Sequence, residues 1–201
     1  MSAAALILAA GRGARFSAAG GEGPKLLAQW RGKPLVRHVA EAALASAARP
    51  VIVVTGHARA GVEAALAGLD LTFVHNGAFA AGLAGSLALG LGALPAQAES
   101  AVILLADMPL VSAALIDRLT AALAAKPGSR AAAPVRNGAR GNPVVLARAL
   151  FAQAAALTGD QGARRLIDAL AGALAEVPVA DDAAAMDVDT PAALAELSRR
   201  G

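Results

Sequence analysis

The sequence contains no cysteine and no tyrosine, and aromatic residues make up only 2% of its 201 positions. The absence of cysteine excludes disulfide bonds, thiolate metal ligands and thiol nucleophiles, and it fits a reducing compartment. Nucleic-acid-binding platforms that stack bases need aromatic faces, so the composition argues against such a surface. The formal net charge is only +3 and no basic stripe is visible, which also disfavours binding to DNA or to a membrane surface.

Long apolar runs are missing as well. No segment approaches the roughly 18 residues that a membrane-spanning helix needs. The apolar N-terminus has no basic stretch before it and is interrupted at Gly11, so it is interpreted as a first strand and not as a signal peptide. We therefore expect a cytoplasmic protein with neither a membrane nor a nucleic-acid partner. Its length predicts a single domain over residues 1–201.

The aliphatic runs that are present are short and apolar nearly throughout, as in strands that are covered on both faces of a parallel sheet. Alanine- and leucine-rich stretches of helical character lie between them. This alternation predicts a three-layer α/β/α sandwich with a mostly parallel, Rossmann-like central sheet. The predicted strands are 5–9, 51–54, 71–74, 101–106, 130–133, 143–146 and 174–179, and the predicted helices are 34–47, 58–67, 84–94, 112–125, 147–157, 160–171 and 190–198.

A glycine-rich loop follows the first strand and carries Arg12, Arg15 and Lys25. Ligands of open parallel sheets bind beyond the carboxyl ends of the strands, and glycine lets backbone N–H groups approach an anion closely. The loop therefore predicts a polyphosphate cradle, the alternative being a flexible hairpin with solvated arginines. It is not a Walker loop, which needs Gly-Lys-Ser/Thr, and no acidic residue ends the second strand as a dinucleotide site requires.

Two acidic segments complete the pattern. The strand in "AVILLADMPL" delivers Asp107 to its carboxyl end, where a carboxylate could hold Mg²⁺ together with substrate phosphates; the alternative is a turn or the cap of a helix near Ser112. In "MDVDTPAAL", alternation along an extended segment places Asp187 and Asp189 on the same side. The alternative for this pair is a helix cap before Thr190.

These segments, in order and over nearly the whole chain, resemble the MobA-like nucleotidyltransferases. The segment Ala9 to Arg15 followed by Lys25 is similar to the family's phosphate-loop signature, and D-M-P and D-V-D-T-P resemble its acidic motifs. "HNGAFAAGLAGSLALGL", "RNGARGNPVVL" and "LTGDQGARRLI" resemble further family segments. The pattern looks closest to the MocA-type molybdenum cofactor cytidylyltransferases, with three departures: Phe16 in place of methionine, a longer stretch before Lys25, and Asn142 in place of a frequent histidine.

The resemblance implies transfer of CMP from CTP to the terminal phosphate of molybdopterin or molybdenum cofactor, with release of pyrophosphate and with Mg²⁺ as cofactor. It implies catalytic roles for Arg15, Lys25 and Asp107, and metal ligation by Asp107 and Asp189, with Asp187 in reserve. The implied nucleotide-binding residues are Leu8, Ala9, Ala10, Gly11, Arg12, Gly13, Asn76, Gly82 and Ser86. The implied acceptor-binding residues are Arg140, Gly141, Asn142, Pro143 and Asp160.

Alternatives remain at this point. GTP could replace CTP, and the acceptor could be another phosphorylated small molecule, such as a sugar, alcohol or lactate phosphate. A non-catalytic cofactor-binding chaperone is a further alternative, although it would need neither Asp107 nor Lys25. Besides CTP and a phosphorylated pterin, the resemblance implies a molybdoenzyme or its chaperone as a partner.

Overall fold

Strands and helices alternate in the computed structural model, which describes residues 2–160, 163–180 and 186–199. The strands are β1 (Ala3–Ala9), β2 (Gln29–Trp30), β3 (Lys33–Pro34), β4 (Val51–Thr55), β5 (Thr72–His75), β6 (Ser100–Leu105), β7 (Ala131–Arg136), β8 (Ala139–Arg140), β9 (Val144–Ala147) and β10 (Leu174–Pro178). The α-helices are α1 (Ala14–Ala18), α2 (Leu35–Ala45), α3 (Arg59–Ala65), α4 (Leu83–Gly92), α5 (Ala113–Ala125), α6 (Phe151–Ala155), α7 (Arg164–Asp168) and α8 (Pro191–Arg199).

The main sheet has the strand order β10-β7-β9-β6-β1-β4-β5, with β8 paired to β7. Strands β6, β1, β4 and β5 run parallel to one another, as do β7 and β10. Strand β9 is antiparallel to both of its neighbours, β6 and β7. The predicted mostly parallel sheet is therefore confirmed, with β9 reversed near its middle and β8 reversed beside β7.

Helices cover both faces of this sheet, which explains why its strands are apolar throughout. Neighbouring residues of β1 belong to different cores: Ile7 packs in one cluster with side chains of α2 and α5, and Leu6 and Leu8 pack in another with side chains of α4 and α6. All three residues are buried. This separation gives the predicted three layers, helix, sheet and helix.

Most predicted elements occur within one or two residues of their expected limits. The predicted helix over 112–125 is α5, and the hydroxyl of Ser112 caps it by accepting a hydrogen bond from the N–H of Leu115. The last third differs more. The predicted helix over 160–171 is shortened to α7, and the one over 147–157 consists of a 3₁₀ turn, Arg148–Leu150, followed by α6.

The opening loop contains short elements that were not among the predicted strands and helices. It contains α1 and a 3₁₀ turn, Lys25–Leu27, and the hairpin of β2 and β3 follows. Within the described ranges, none of the helices has both the length and the apolar character needed to traverse a bilayer.

Candidate active site

A crevice lies where β1 and β6 end side by side. These strands are parallel neighbours, with Leu8 in register with Leu105, so the segments that follow them leave from the same edge of the sheet. Beyond that edge is a cavity of about 370 Å³. Its lining residues are Leu8, Gly11, Gly13, Ala14, Arg15, Lys25, Leu26, Leu83, Leu105, Ala106, Asp107, Asp160, Asp187 and Asp189.

An ion-pair network occupies one wall of this cavity. The Lys25 ammonium donates to Asp107 Oδ2 at 2.6 Å and to Asp189 Oδ1 at 2.9 Å. The other carboxylate oxygen of Asp189 lies 2.5 Å from a guanidinium nitrogen of Arg15. The Lys25 side chain is only 11% exposed, whereas that of Arg15 is 80% exposed. The structure thus brings together the three predicted catalytic residues and the predicted second metal ligand.

Gly13 allows Lys25 to reach this position. The glycine has a positive φ of 65°, and a Cβ built on it would lie 2.8 Å from the Cβ of Lys25. Any side chain at this position would meet both a strained backbone conformation and the lysine stem. Glycine at this position therefore has two effects. It lets the chain turn sharply into α1, and it leaves room for the Lys25 side chain directly beneath the turn.

The two acidic segments are tied together through the backbone. The N–H of Val188 donates to the carbonyl oxygen of Asp107 at 3.0 Å, and the Val188 side chain is fully buried. Burial of Val188 turns its neighbours Asp187 and Asp189 towards the cavity, as the predicted alternation requires.

The capping alternatives do not hold for either carboxylate. Ser112 caps α5, which leaves Asp107 available to Lys25. The hydroxyl of Thr190 accepts from the N–H of Ala193 in the first turn of α8, so Asp189 is likewise not needed as a cap. Each carboxylate instead faces a cation across the crevice.

The charges of the network shift its protonation equilibria. Burial alone would lower the pKa of Lys25, but Asp107 and Asp189 outweigh that effect and raise the pKa above its ordinary value. Partial burial would raise the pKa of Asp189, yet the hydrogen bond and charge of Lys25, with the charge of Arg15, lower it. Desolvation, followed by the negative charges of Asp189 and Asp107, raises the pKa of Asp187.

A small apolar cluster, separate from the two main cores, connects the basic and acidic sides of the crevice. It contains Phe16 of α1, next to Arg15, and Val188, next to Asp189. Trp30, Leu35 and Leu197 complete the buried part of the cluster. Phe16 is a departure from the family pattern, and nothing in the local sequence predicts that it shares a cluster with the C-terminal segment.

A second cavity, of about 290 Å³, adjoins the first and shares several lining residues with it. It is lined by Gly11, Arg12, Gly13, Ala14, Phe79, Ala80, Gly82, Leu83, Ser86 and Asp160. The Arg12 guanidinium carbon lies 5.6 Å from the centroid of the Phe79 ring, within cation–π range. His57 meets the same ring edge-on, at 5.8 Å between centroids.

The predicted nucleotide-binding residues divide into two groups. Leu8, Gly11, Arg12, Gly13, Gly82 and Ser86 line one or both cavities. Ala9, Ala10 and Asn76 are buried and line neither cavity. Asn76 instead orders the loop, because its amide donates to the Ser86 hydroxyl at 2.9 Å and its oxygen accepts from the N–H of Ala78 at 2.9 Å.

Gly82 fits a close approach between two loops. Its φ is 111°, and a Cβ there would lie 2.7 Å from the backbone of Gly159 and 2.9 Å from Asp160 Oδ1. Asp160 also accepts from the N–H of Leu83 at 3.3 Å. The contact places Asp160 in the wall that both cavities share, beside the predicted nucleotide-binding residues.

The predicted acceptor-binding residues are consequently split. Arg140 lies outside the crevice, where its guanidinium pairs with Glu176 at 2.9 Å and with Asp168 at 3.3 Å. Gly141 and Asn142 line a separate cavity of about 40 Å³ together with Arg140. Pro143, directly before β9, is buried. Of the five predicted acceptor residues, only Asp160 reaches the crevice.

Phe79 and Leu83 were missed by sequence reasoning although both lie within the recognised "HNGAFAAGLAGSLALGL" segment. An aromatic residue in such an aromatic-poor chain is the signal that could have singled out Phe79.

The chemistry of the crevice fits a divalent cation. Asp107 and Asp189 are hard oxygen ligands that one cation, the Lys25 ammonium, already bridges. In the described part of the chain, no group of three or more histidine, cysteine or acidic residues could enclose a metal. In typical Mg²⁺ sites, one or two protein carboxylates bind the ion, and phosphates and water supply the remaining ligands.

Comparison with known proteins identifies the family of this chain. A family model described as the MobA-like NTP transferase domain matches residues 5–177. Among curated relatives, the bifunctional protein GlmU of Acidovorax ebreus (strain TPSY) is 37% identical over 131 residues. That match covers 58% of this chain but only 25% of the relative, so the chain spans a quarter of that protein's length.

Solved structures extend the likeness to nearly the whole chain. A nucleotidyl transferase from Methanothermobacter thermautotroptrophicus superposes with a TM-score of 0.85, 25% identity, and coverage of 99% of this chain and 97% of that one. A manganese complex of Rv0371C from Mycobacterium tuberculosis superposes with a TM-score of 0.81, 25% identity and coverage of 100% of both chains. A CMP:2-keto-3-deoxy-manno-octonic acid synthetase complexed with CTP superposes with a TM-score of 0.71 at 19% identity, covering 100% of this chain and 98% of that one. At this low identity the likeness shows the fold alone.

Proposed function

The chain belongs to the family of MobA-like NTP transferase domains, and on that premise we propose that it transfers a nucleotidyl group from a nucleoside triphosphate to a phosphorylated small molecule. The observation that carries the proposal is the convergence of Lys25 and Arg15 on Asp107 and Asp189 in one cavity. Cations for a polyphosphate and carboxylates for a metal ion thereby meet at the carboxyl edge of the sheet. We treat residues 1–201 as one nucleotidyltransferase domain.

We place the triphosphate in the larger cavity, against Lys25 and Arg15, and the nucleoside in the smaller one. Gly11 and Gly13 line both cavities and leave room for a ligand that extends from one to the other. In the smaller cavity, Phe79 offers an aromatic face and Arg12 a cation near it. Asp160, in the shared wall, offers a carboxylate that accepts hydrogen bonds from ligand hydroxyl or amino groups.

Asp107 and Asp189 would hold the divalent ion, for which Mg²⁺ is our first choice. When bound, the ion supplies charge neutralisation at the phosphate oxygens. Support comes from the hard oxygen donors in the crevice and from the manganese complex of Rv0371C, a structural neighbour of the whole chain.

The reaction that follows is an in-line displacement. A phosphate oxygen of the acceptor forms a bond to the α-phosphorus of the nucleotide, and the bond from that phosphorus to the β-phosphate bridging oxygen breaks, releasing pyrophosphate. Phosphate is already ionised at neutral pH, so the step needs neither a protein nucleophile nor a general base. Catalysis by this chain is then positioning and charge stabilisation, with Lys25 and Arg15 holding the departing phosphates.

CTP is the preferred donor in this proposal. The motif resemblance favours it, and a protein of the same fold is complexed with CTP. The acceptor is left as a phosphorylated small molecule, such as a sugar, alcohol or lactate phosphate, because none of the relatives and structures named above is described by a molybdenum cofactor substrate. Transfer to molybdopterin or molybdenum cofactor, with delivery to a molybdoenzyme, is the narrower candidate, and the motif resemblance to MocA-type cytidylyltransferases is what favours it.

A pyrophosphate-release assay tests the proposal. Purified protein with Mg²⁺ is incubated with each of CTP, GTP, UTP and ATP against molybdenum cofactor, a sugar phosphate, an alcohol phosphate and phospholactate. We expect release above background for one donor and acceptor pair, fastest with CTP, and loss of release on chelation with recovery on adding Mg²⁺ or Mn²⁺. Binding of an acceptor without pyrophosphate release from any donor would favour the chaperone alternative and contradict the proposal.

A further inference from the structure

Lys25 stands in the position that a metal ion would take. Its ammonium touches one oxygen of Asp107 and one of Asp189, at 2.6 and 2.9 Å. The second oxygen of Asp189 is engaged by Arg15. Both carboxylates of the expected metal site are therefore neutralised by side chains of the same chain.

A divalent ion and the ammonium cannot share this position. Mg²⁺ binds carboxylate oxygens at about 2.0–2.1 Å, so an ion bridging the same two oxygens would occupy nearly the same volume as the ammonium. Two cations so close repel strongly, since the Lys25 side chain is only 11% exposed and water screens the charges poorly. Metal binding consequently requires the ammonium to move away.

A bound triphosphate would give the Lys25 ammonium new anionic partners in place of Asp107 and Asp189. The lysine head is a rotatable point charge at the end of a flexible stem, while the start of that stem is confined beneath Gly13. An incoming polyphosphate offers several anionic oxygens in the same cavity, to which the ammonium can turn without losing its charge partner. Movement of the lysine towards the nucleotide then uncovers Asp107 and Asp189.

We propose that Lys25 acts as the resident cation of the metal site and makes the site select a metal–triphosphate complex over the free ion. The inference rests on the proposed function, because it takes the incoming polyanion to be a nucleoside triphosphate. Lys25 thereby has a second role besides holding phosphates: it keeps the carboxylates occupied until nucleotide and metal arrive together.

Binding of Mn²⁺ alone, followed by electron paramagnetic resonance, tests the inference. We expect Lys25→Met to bind Mn²⁺ at least tenfold more tightly than the wild type in the absence of nucleotide. The matched control is Lys33→Met, which removes a lysine paired with a single carboxylate, Glu41, at the surface and should leave Mn²⁺ affinity unchanged. Adding Asp107→Asn to Lys25→Met should abolish the gain, which locates the ion.

Unchanged or weaker Mn²⁺ binding by a folded Lys25→Met protein would overturn the inference, and Lys25→Gln serves in its place if the methionine variant does not fold. Calorimetry adds a second measurement: the factor by which Mn²⁺ strengthens CTP binding should be smaller in the variant than in the wild type, and an equal factor would contradict the inference. An inactive wild type with the expected Mn²⁺ behaviour would overturn the proposed function alone. An active wild type whose lysine variants gain no affinity would overturn this inference alone.

Discussion

The backbone N–H of Val188 donates a hydrogen bond of 3.0 Å to the carbonyl oxygen of Asp107. This contact joins the end of β6 to the segment before α8 at the point where each presents a carboxylate. Because the bond uses only main-chain atoms, substitutions of the carboxylate side chains leave it in place. Their effects on turnover therefore report on charge and ligation more than on folding.

Asp107→Asn should lower turnover in the pyrophosphate-release assay by at least about a hundredfold, the usual cost of losing one transition-state charge contact. The amide is nearly isosteric with the carboxylate but leaves Lys25 without one of its two anionic partners. Circular dichroism should show an unchanged fold. Asp70→Asn, at an exposed position, is the matched control and should keep normal turnover. Near-normal turnover of a folded Asp107→Asn protein would remove Asp107 from the mechanism.

Phe16→Ala should destabilise the protein and loosen the connection between the cation loop and the acidic segment. Phe16 is 3% exposed, and truncation of a buried phenylalanine typically costs about 3–5 kcal/mol. Because Val188 shares the cluster, we also expect a fall in kcat in protein that is still folded. Urea unfolding and steady-state kinetics measure the two effects. Phe73→Ala is the control: Phe73 is 37% exposed, and its truncation should change neither quantity appreciably.

Gly82→Ala should raise the KM for the nucleotide. The methyl group would meet the backbone of Gly159 at 2.7 Å, in a backbone conformation that alanine rarely adopts. Such strain costs about 1–3 kcal/mol, and its relief would displace Asp160 from the wall of both cavities. Gly77→Ala, in the same loop, is matched for the chemical change but has open space around its Cβ position. Equal KM values for the two variants would show that the close approach at Gly82 is irrelevant to binding.

Acid titration of stability should distinguish Asp189 from Asp187. The pKa of Asp189 is lowered in the folded protein. Its contribution to the free energy of unfolding is therefore fully present above its ordinary pKa of about 3.9 and disappears as the pH falls through the lowered value. Wild-type stability should consequently fall more steeply below about pH 4 than that of Asp189→Asn. Urea unfolding over a pH series measures the difference.

Asp187 should behave in the opposite way, because its pKa is raised by desolvation and by the neighbouring carboxylates. Its charged form is disfavoured by folding, so the destabilisation is present at neutral pH and is relieved as the pH falls through the raised value. Asp187→Asn should therefore be at least as stable as the wild type near pH 7, with the two converging in acid. A large loss of stability in Asp187→Asn at neutral pH would contradict this assignment.

At alkaline pH, deprotonation of Lys25 should limit the stability of the protein. The pKa of Lys25 is raised in the folded protein. The contribution of its ion pairs to the free energy of unfolding is therefore complete below the ordinary lysine pKa of about 10.4 and is lost as the pH rises through the higher pKa of the folded state. Between the acid and alkaline limits, urea unfolding over a pH series should show a constant stabilisation from the ion pairs of Lys25 with Asp107 and Asp189.

The parts of the site that local patterns encode were accessible from the sequence. An unbroken aliphatic strand ending in Asp107 predicts a buried parallel strand with a carboxylate at its carboxyl end, because strands covered on both faces do not alternate. The same logic predicts β1 and the loop that carries Lys25. Alternation around Val188 correctly places Asp187 and Asp189 on one side.

The parts that depend on distant partners were not accessible. Arg140 lies in a family-like motif, yet Glu176 and Asp168 hold it outside the crevice, and no local pattern announces those ion pairs. Asp160 was predicted among the acceptor-binding residues, and the fit of Gly82 against the 159–160 backbone places it in the wall that both cavities share. Both placements come from tertiary contacts between segments remote in sequence.

The hydrogen bond between Lys25 and Asp189 joins residues 164 positions apart. Contacts of such long range demand large loop closures and tend to form late on the path to the native state. Strands β1 and β4 pair over much shorter separations, whereas the crevice is complete only when the segment before α8 returns to the opening loop. We would therefore expect a newly made chain to form much of its sheet before its complete ion-pair network.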